Sequence, residues 1–99
     1  MTISAEVQKI IEGTKFPTLI TIKADGTPYP IVTGPATIVG ETLTFGIGAM
    51  VNTQTNLASN PNAVFVFVDD QPKGIRVYGT AKADNGKLVF LPSQIDTLN

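Results

Sequence analysis

Ninety-nine residues, 42% hydrophobic and only 15% charged, with a mean hydropathy of +0.18, fit one small domain (1–99) whose apolar excess a self-association interface would absorb. Seven basic residues against eight acidic ones give a net charge of −1 with no basic block, which argues against a nucleic-acid partner, and no apolar run nears the roughly 20 residues that span a bilayer. The first residues lack the charged-then-apolar pattern of a secretory signal and there is no cysteine, so a cytoplasmic location without disulfides is expected.

In chain order, residues 4–12 read as a short amphipathic helix. Ser4 suits the N-cap and Glu6 the first turn, while Gly13 is expected in the left-handed position after the last turn. Ile3, Val7, Ile10 and Ile11 make one apolar face, which assigns the helix to packing, as a plug at one end of a barrel. Residues 18–24 then alternate as a strand, with Leu19 and Thr21 on one face and Ile20 and Ile22 on the other, and Asp25-Gly26 is a hairpin turn. A second strand is expected over 29–39, interrupted at Gly34-Pro35, where proline cannot donate to a ladder. A turn at Gly40-Glu41 leads to a third strand over 42–47.

Residues 50–59 read as a helix of about two turns capped by Asn52 or Thr53, closed by Asn60-Pro61. A nearly continuous apolar strand at 63–68 follows, carrying Phe65 and Phe67. The final pair is 74–83 and 88–91 around Asp84-Asn85-Gly86, with 93–98 extending or capping the last strand. Six or seven short strands, two short helices and hairpin turns predict a mainly β fold, a small antiparallel barrel.

His, Cys and Trp are all absent. Ser–His–Asp and Cys–His nucleophile systems are therefore excluded, as are the usual side-chain ligands of zinc, haem iron and iron–sulfur clusters. The adjacent acids Asp69-Asp70 lead into Gln71-Pro72-Lys73-Gly74, the composition of a solvated turn and not of an acid/base dyad. Any chemistry must come from a bound cofactor, and no catalytic side chain or metal site is expected. The aromatics Tyr29, Phe45, Phe65, Phe67 and Tyr78 have no Lys or Arg interleaved as an oligonucleotide-binding barrel would need, and are assigned to the core or a dimer interface.

The stretch Gly46-Ile47-Gly48-Ala49-Met50-Val51-Asn52-Thr53-Gln54 runs from a strand through small residues into a helix start rich in hydrogen-bonding side chains. Free N–H groups and the helix dipole make such a start an anion site, and ordinary capping accounts for the same pattern. Four segments, however, resemble the pyridoxamine 5'-phosphate oxidase-like family of FMN-binding split barrels. They are Pro17-Thr18-Leu19-Ile20-Thr21-Ile22 with Asp25-Gly26-Thr27-Pro28-Tyr29; Leu43-Thr44-Phe45 leading to Gly48-Ala49-Met50-Val51-Asn52-Thr53; Thr53-Gln54-Thr55-Asn56-Leu57-Ala58-Ser59-Asn60-Pro61-Asn62-Ala63-Val64; and Gly74-Ile75-Arg76-Val77-Tyr78-Gly79-Thr80-Ala81.

That resemblance implies a split antiparallel barrel acting as a homodimer, with FMN held near the subunit interface. It implies that Asn52 and Thr53 meet the phosphate. Thr33, with Val32 and Gly34, would meet the ring edge, and Gly48, Ala49 and Met50 would border the same pocket. The sequence departs from the family where Asn52 replaces a basic residue, at Gly34-Pro35, and in its short stretch after Ala83. Lys15, Arg76 or Lys82 are candidates to supply the missing charge. The expected function is a flavoprotein with a redox role, as electron carrier or flavin-dependent oxidoreductase, and a deazaflavin fits the same pocket. The alternative is a cofactor-free dimeric barrel serving as an interaction or regulatory module.

Overall fold

The computed structural model describes residues 2–98. Helix α1 (Ala5–Glu12) starts where the Ser4 hydroxyl accepts a hydrogen bond from the Val7 N–H at 3.3 Å. Gly13, expected to be left-handed, ends the helix at φ −81°, and its N–H bonds back to the Lys9 and Ile11 carbonyls. The helix buries Ile10 and Ile11 against the barrel core together with Ile3.

Seven strands form one antiparallel sheet: β1 (Thr18–Ile22), β2 (Pro28–Val32), β3 (Thr37–Val39), β4 (Thr42–Gly46), β5 (Asn62–Val68), β6 (Gly74–Asp84) and β7 (Lys87–Thr97). Their spatial order is β2-β1-β5-β6-β7-β4-β3. The single strand expected over 29–39 is thus two. Gly34-Pro35 lies in the link between them, and β2 and β3 stand at opposite edges of the sheet. The last strand runs far past residue 91, with a bulge opposite Tyr78/Gly79 that leaves Ser93 unpaired between Pro92 and Gln94.

The sheet curls until its ends approach. Phe45 on β4 and Phe65 on β5 have two strands, β6 and β7, between them in sheet order, yet their rings stack with centroids 4.2 Å apart and planes 5° from parallel. Phe90 meets Phe65 edge-on at 5.0 Å. Alternation feeds this interior: Leu19, Thr21, Phe65, Phe67, Val77, Leu88 and Phe90 are fully buried while their strand neighbours face outward. Since β2 and β3 are not hydrogen-bonded to each other, the barrel is split.

The β1–β2 hairpin fixes which groups face that open edge. Lys23 and Thr33 donate their N–H groups to the Thr27 and Pro17 carbonyls across the hairpin, both at 2.9 Å. Odd-numbered β2 residues therefore point their main-chain polar groups toward β1, and Pro28, Pro30 and Val32 point theirs outward. Two of the three outward positions are prolines and have no N–H to offer.

Helix α2 (Val51–Ser59) crosses β1 and β6. Inside, the buried Asn56 amide donates to the buried Thr21 hydroxyl at 3.1 Å. Neither Asn52 nor Thr53 caps the helix. The N-cap is Met50, with no side-chain capping bond, and the sequence pattern misplaced the start because both polar residues fall within the first turn. Among the described residues, no helix is long and apolar enough to cross a membrane.

Candidate functional site

The β2 end, the β4 end and the start of α2 converge on one cleft of about 480 Å³, lined by Tyr29 and residues 31–34 on one side and residues 46–53 on the other. Its volume falls in the range of small-molecule sites. The eight residues expected to hold a ligand all line it: Val32, Thr33 and Gly34 from the β2 side, Gly48, Ala49 and Met50 from the turn, and Asn52 and Thr53 from α2.

The turn is shaped to leave space. Gly48 takes φ +49°, a left-handed conformation that favours glycine. A Cβ built on Gly34, Gly46 or Gly48 would meet nothing within 4 Å, so the cleft walls are bare backbone at three points. The Met50 N–H bonds to the Ile47 carbonyl at 3.1 Å, and the first bond internal to α2 is Gln54 N–H to the Met50 carbonyl at 3.0 Å. This leaves the Asn52 and Thr53 N–H groups without acceptors among the described residues. The Thr53 side chain, 1% exposed, also lines the cleft. Two main-chain donors therefore stand at the cleft, at the positive end of the helix dipole.

Thr33 also braces the cleft wall. Its hydroxyl is buried and donates toward the Pro17 and Gly34 carbonyls, at 3.3 and 3.0 Å. A hydroxyl has one proton, so this side chain fixes the wall and has no proton to spare for a ring edge. Lys15, Arg76 and Lys82 are absent from the lining, which among the described residues carries no charged side chain.

Tyr29 lines the cleft too, and its hydroxyl accepts a hydrogen bond from the Asn52 amide at 3.3 Å. Sequence reasoning had placed Tyr29 in the core or a dimer interface. Strand alternation was the available signal, since it sets Tyr29, Ile31 and Thr33 on one face. The acidic pair behaves as composition implied: Asp69 Oδ1 accepts from the Gln71 and Lys73 N–H groups at 2.9 and 2.7 Å, building a turn. Among the described residues no group of His, Cys, Asp and Glu could hold a metal ion. The Asp25 carboxyl lies below the usual range because the Thr27 hydroxyl and N–H donate to it, but it sits in the exposed β1–β2 turn.

The family model for pyridoxamine 5'-phosphate oxidase matches residues 3–87. The chain belongs to the pyridoxamine 5'-phosphate oxidase family. No curated protein sequence matches it. Among solved structures, HupZ from Group A Streptococcus superposes with a TM-score of 0.85 at 18% identity, over 98% of this chain and 94% of that one. An FMN-binding protein from Syntrophomonas wolfei gives 0.74 at 19% identity, over 93% and 88%. HutZ, a heme storage protein from Vibrio cholerae, gives 0.72 at 15% identity, over 98% and 95%. At these identities the likenesses establish the family's split-barrel fold and leave the ligand to be argued from the cleft.

Proposed function

We propose that this family member is an FMN-binding flavoprotein with a redox role, and that the phosphate end of the flavin lies at the start of α2. The observation that carries this reading is the pair of main-chain N–H groups, of Asn52 and Thr53, that lack acceptors among the described residues where the uncapped start of α2 meets the cleft. Main-chain N–H groups are normally satisfied, and a phosphate ester supplies acceptors for both. The bare walls at Gly34, Gly46 and Gly48 admit a flat ring against main-chain groups, and the flavin would supply the electron transfer for which the chain has no side chain.

Two kinds of known binder share the fold, and composition separates them. Heme is held by an axial His, Cys, Met or Tyr, and this chain has no His or Cys. Of the four ligand types the cleft offers only Met50 and Tyr29, and the Tyr29 hydroxyl is engaged by Asn52. Flavin needs none of these ligands.

The homodimer belongs to the same reading. Val32 and Val51, 66% and 68% exposed, stand at the cleft rim. The outer sheet face carries a half-exposed apolar row, Ile20–Val64–Tyr78, across β1, β5 and β6. A second copy would cover both.

The test is a visible absorption spectrum of the purified protein, followed by titration with FMN read by flavin fluorescence. Oxidised-flavin bands, or a Kd of about 1 μM or tighter, are expected. A colourless protein that ignores FMN, riboflavin and FAD would overturn the cofactor assignment and favour a cofactor-free interaction module.

A further inference from the structure

The cleft presents an electrostatic puzzle. A phosphate ester is an anion, yet among the described residues the lining offers only neutral polar side chains: Tyr29, Thr33, Asn52 and Thr53. Thr33 is committed to carbonyls. Thr53 and the N–H groups of α2 approach from the helix alone, so the opposite wall must supply any further donor.

Tyr29 is the side chain on that wall able to do so. It comes from β2, which faces α2 across the cleft, and it is tied to the helix by the Asn52 amide at 3.3 Å. The direction of that bond matters. Asn52 Nδ2 donates, so the contact uses a lone pair of the phenol oxygen and leaves its single proton free. A hydroxyl that accepts one hydrogen bond donates a stronger one. The same contact holds the oxygen beside the first turn of α2, where the Asn52 and Thr53 N–H groups lack acceptors among the described residues.

We propose that Tyr29 donates its hydroxyl proton to the phosphate ester held at α2, with Asn52 holding it in place, so that the anion is read by neutral donors alone. The identity of the ester rests on the flavin reading above. Two properties follow. Tyr29 discriminates FMN from riboflavin, which has the same ring system and no phosphate. Affinity for FMN also depends weakly on ionic strength, because neutral donors leave little charge–charge attraction for salt to screen.

The experiment compares dissociation constants of FMN and riboflavin for the wild-type protein and for Tyr29→Phe, which keeps the ring and removes the hydroxyl. The wild-type affinity for FMN is expected to change less than about twofold between roughly 0.05 and 0.5 M salt. Tyr29→Phe is expected to weaken FMN about tenfold, the scale of a hydrogen bond to a charged group, and to leave riboflavin unchanged. Equal losses for both flavins, an unaltered FMN affinity, or a steep salt dependence would each overturn the proposal. If the wild type takes up neither flavin, the flavin reading falls, and inorganic phosphate followed by amide NMR decides the role of Tyr29. Phosphate-dependent shifts at Asn52 and Thr53 that vanish in Tyr29→Phe sustain it; their absence in the wild type, or their persistence in the variant, overturns it. Asn52→Ala, which removes an exposed side chain, gives a second check: an FMN-selective loss smaller than that of Tyr29→Phe.

Discussion

At Gly79 the chain has no room for a side chain. A Cβ there would sit 2.2 Å from the Leu91 carbonyl oxygen and 2.9 Å from the Phe90 ring. The bulge on β7 brings that main chain onto β6, and a backbone oxygen cannot rotate away as a side chain can. Gly79→Ala should lower stability by about 1–3 kcal/mol, the cost of overpacking, with the loss read from urea unfolding. Gly34 is the opposite case. Its Cβ would enter open space in the cleft, and its backbone needs no left-handed conformation. Gly34→Ala should leave unfolding unchanged within about 0.5 kcal/mol while weakening FMN by crowding the ring. Two glycines of one composition thus separate into a packing requirement and a binding one, and the two assays exchange their responses.

Between elements, the contact that sets the site is the one from Asn56 on α2 to Thr21 on β1. Both groups are buried, so Asn56→Leu strands a buried hydroxyl and should cost about 1–3 kcal/mol, whereas adding Thr21→Val to it should restore most of the loss. Thermal or urea unfolding of the two variants checks this, and FMN affinity should follow stability because α2 carries the cleft donors. Much of this level was legible in the sequence. Alternation at 18–24 set Leu19 and Thr21 apart from Ile20 and Ile22, though not which pair is buried, and the structure buries the first; Asp25-Gly26 and Asn85-Gly86 announced two hairpins, the latter with φ +51° and +76°. What stayed hidden depends on tertiary contacts. The pattern over 29–39 could not reveal that its halves lie at opposite sheet edges. The polar residues at 52–54 looked like a cap, and only the fold shows Asn52 turned to Tyr29 and Thr53 lining the cleft. The convergence of 32–34 with 48–53 came from resemblance, since spacing along a chain does not report a meeting between strands so far apart in sheet order.

For the whole molecule, the outer sheet face tests the dimer. Val64 sits midway across the row between Ile20 and Tyr78 and is half-buried in one chain. Val64→Glu should therefore be tolerated by the monomer fold, yet place a charge at the centre of the interface. Sedimentation should give the wild type twice the 10.5 kDa of one chain and the variant a single chain; a wild-type monomer would remove the homodimer. Whatever geometry that dimer takes, β2 constrains it. An edge whose outward positions are Pro28, Pro30 and Val32 offers one donor where a docking strand needs a ladder, and β3 at the far edge is only three residues long. Copies can meet face to face but cannot zip edge to edge. An apolar barrel with open seams would ordinarily be a seed for fibrils. Here that risk is written out of the chain by two imino acids, which leaves the seam between its edges free to serve as a mouth for a ligand.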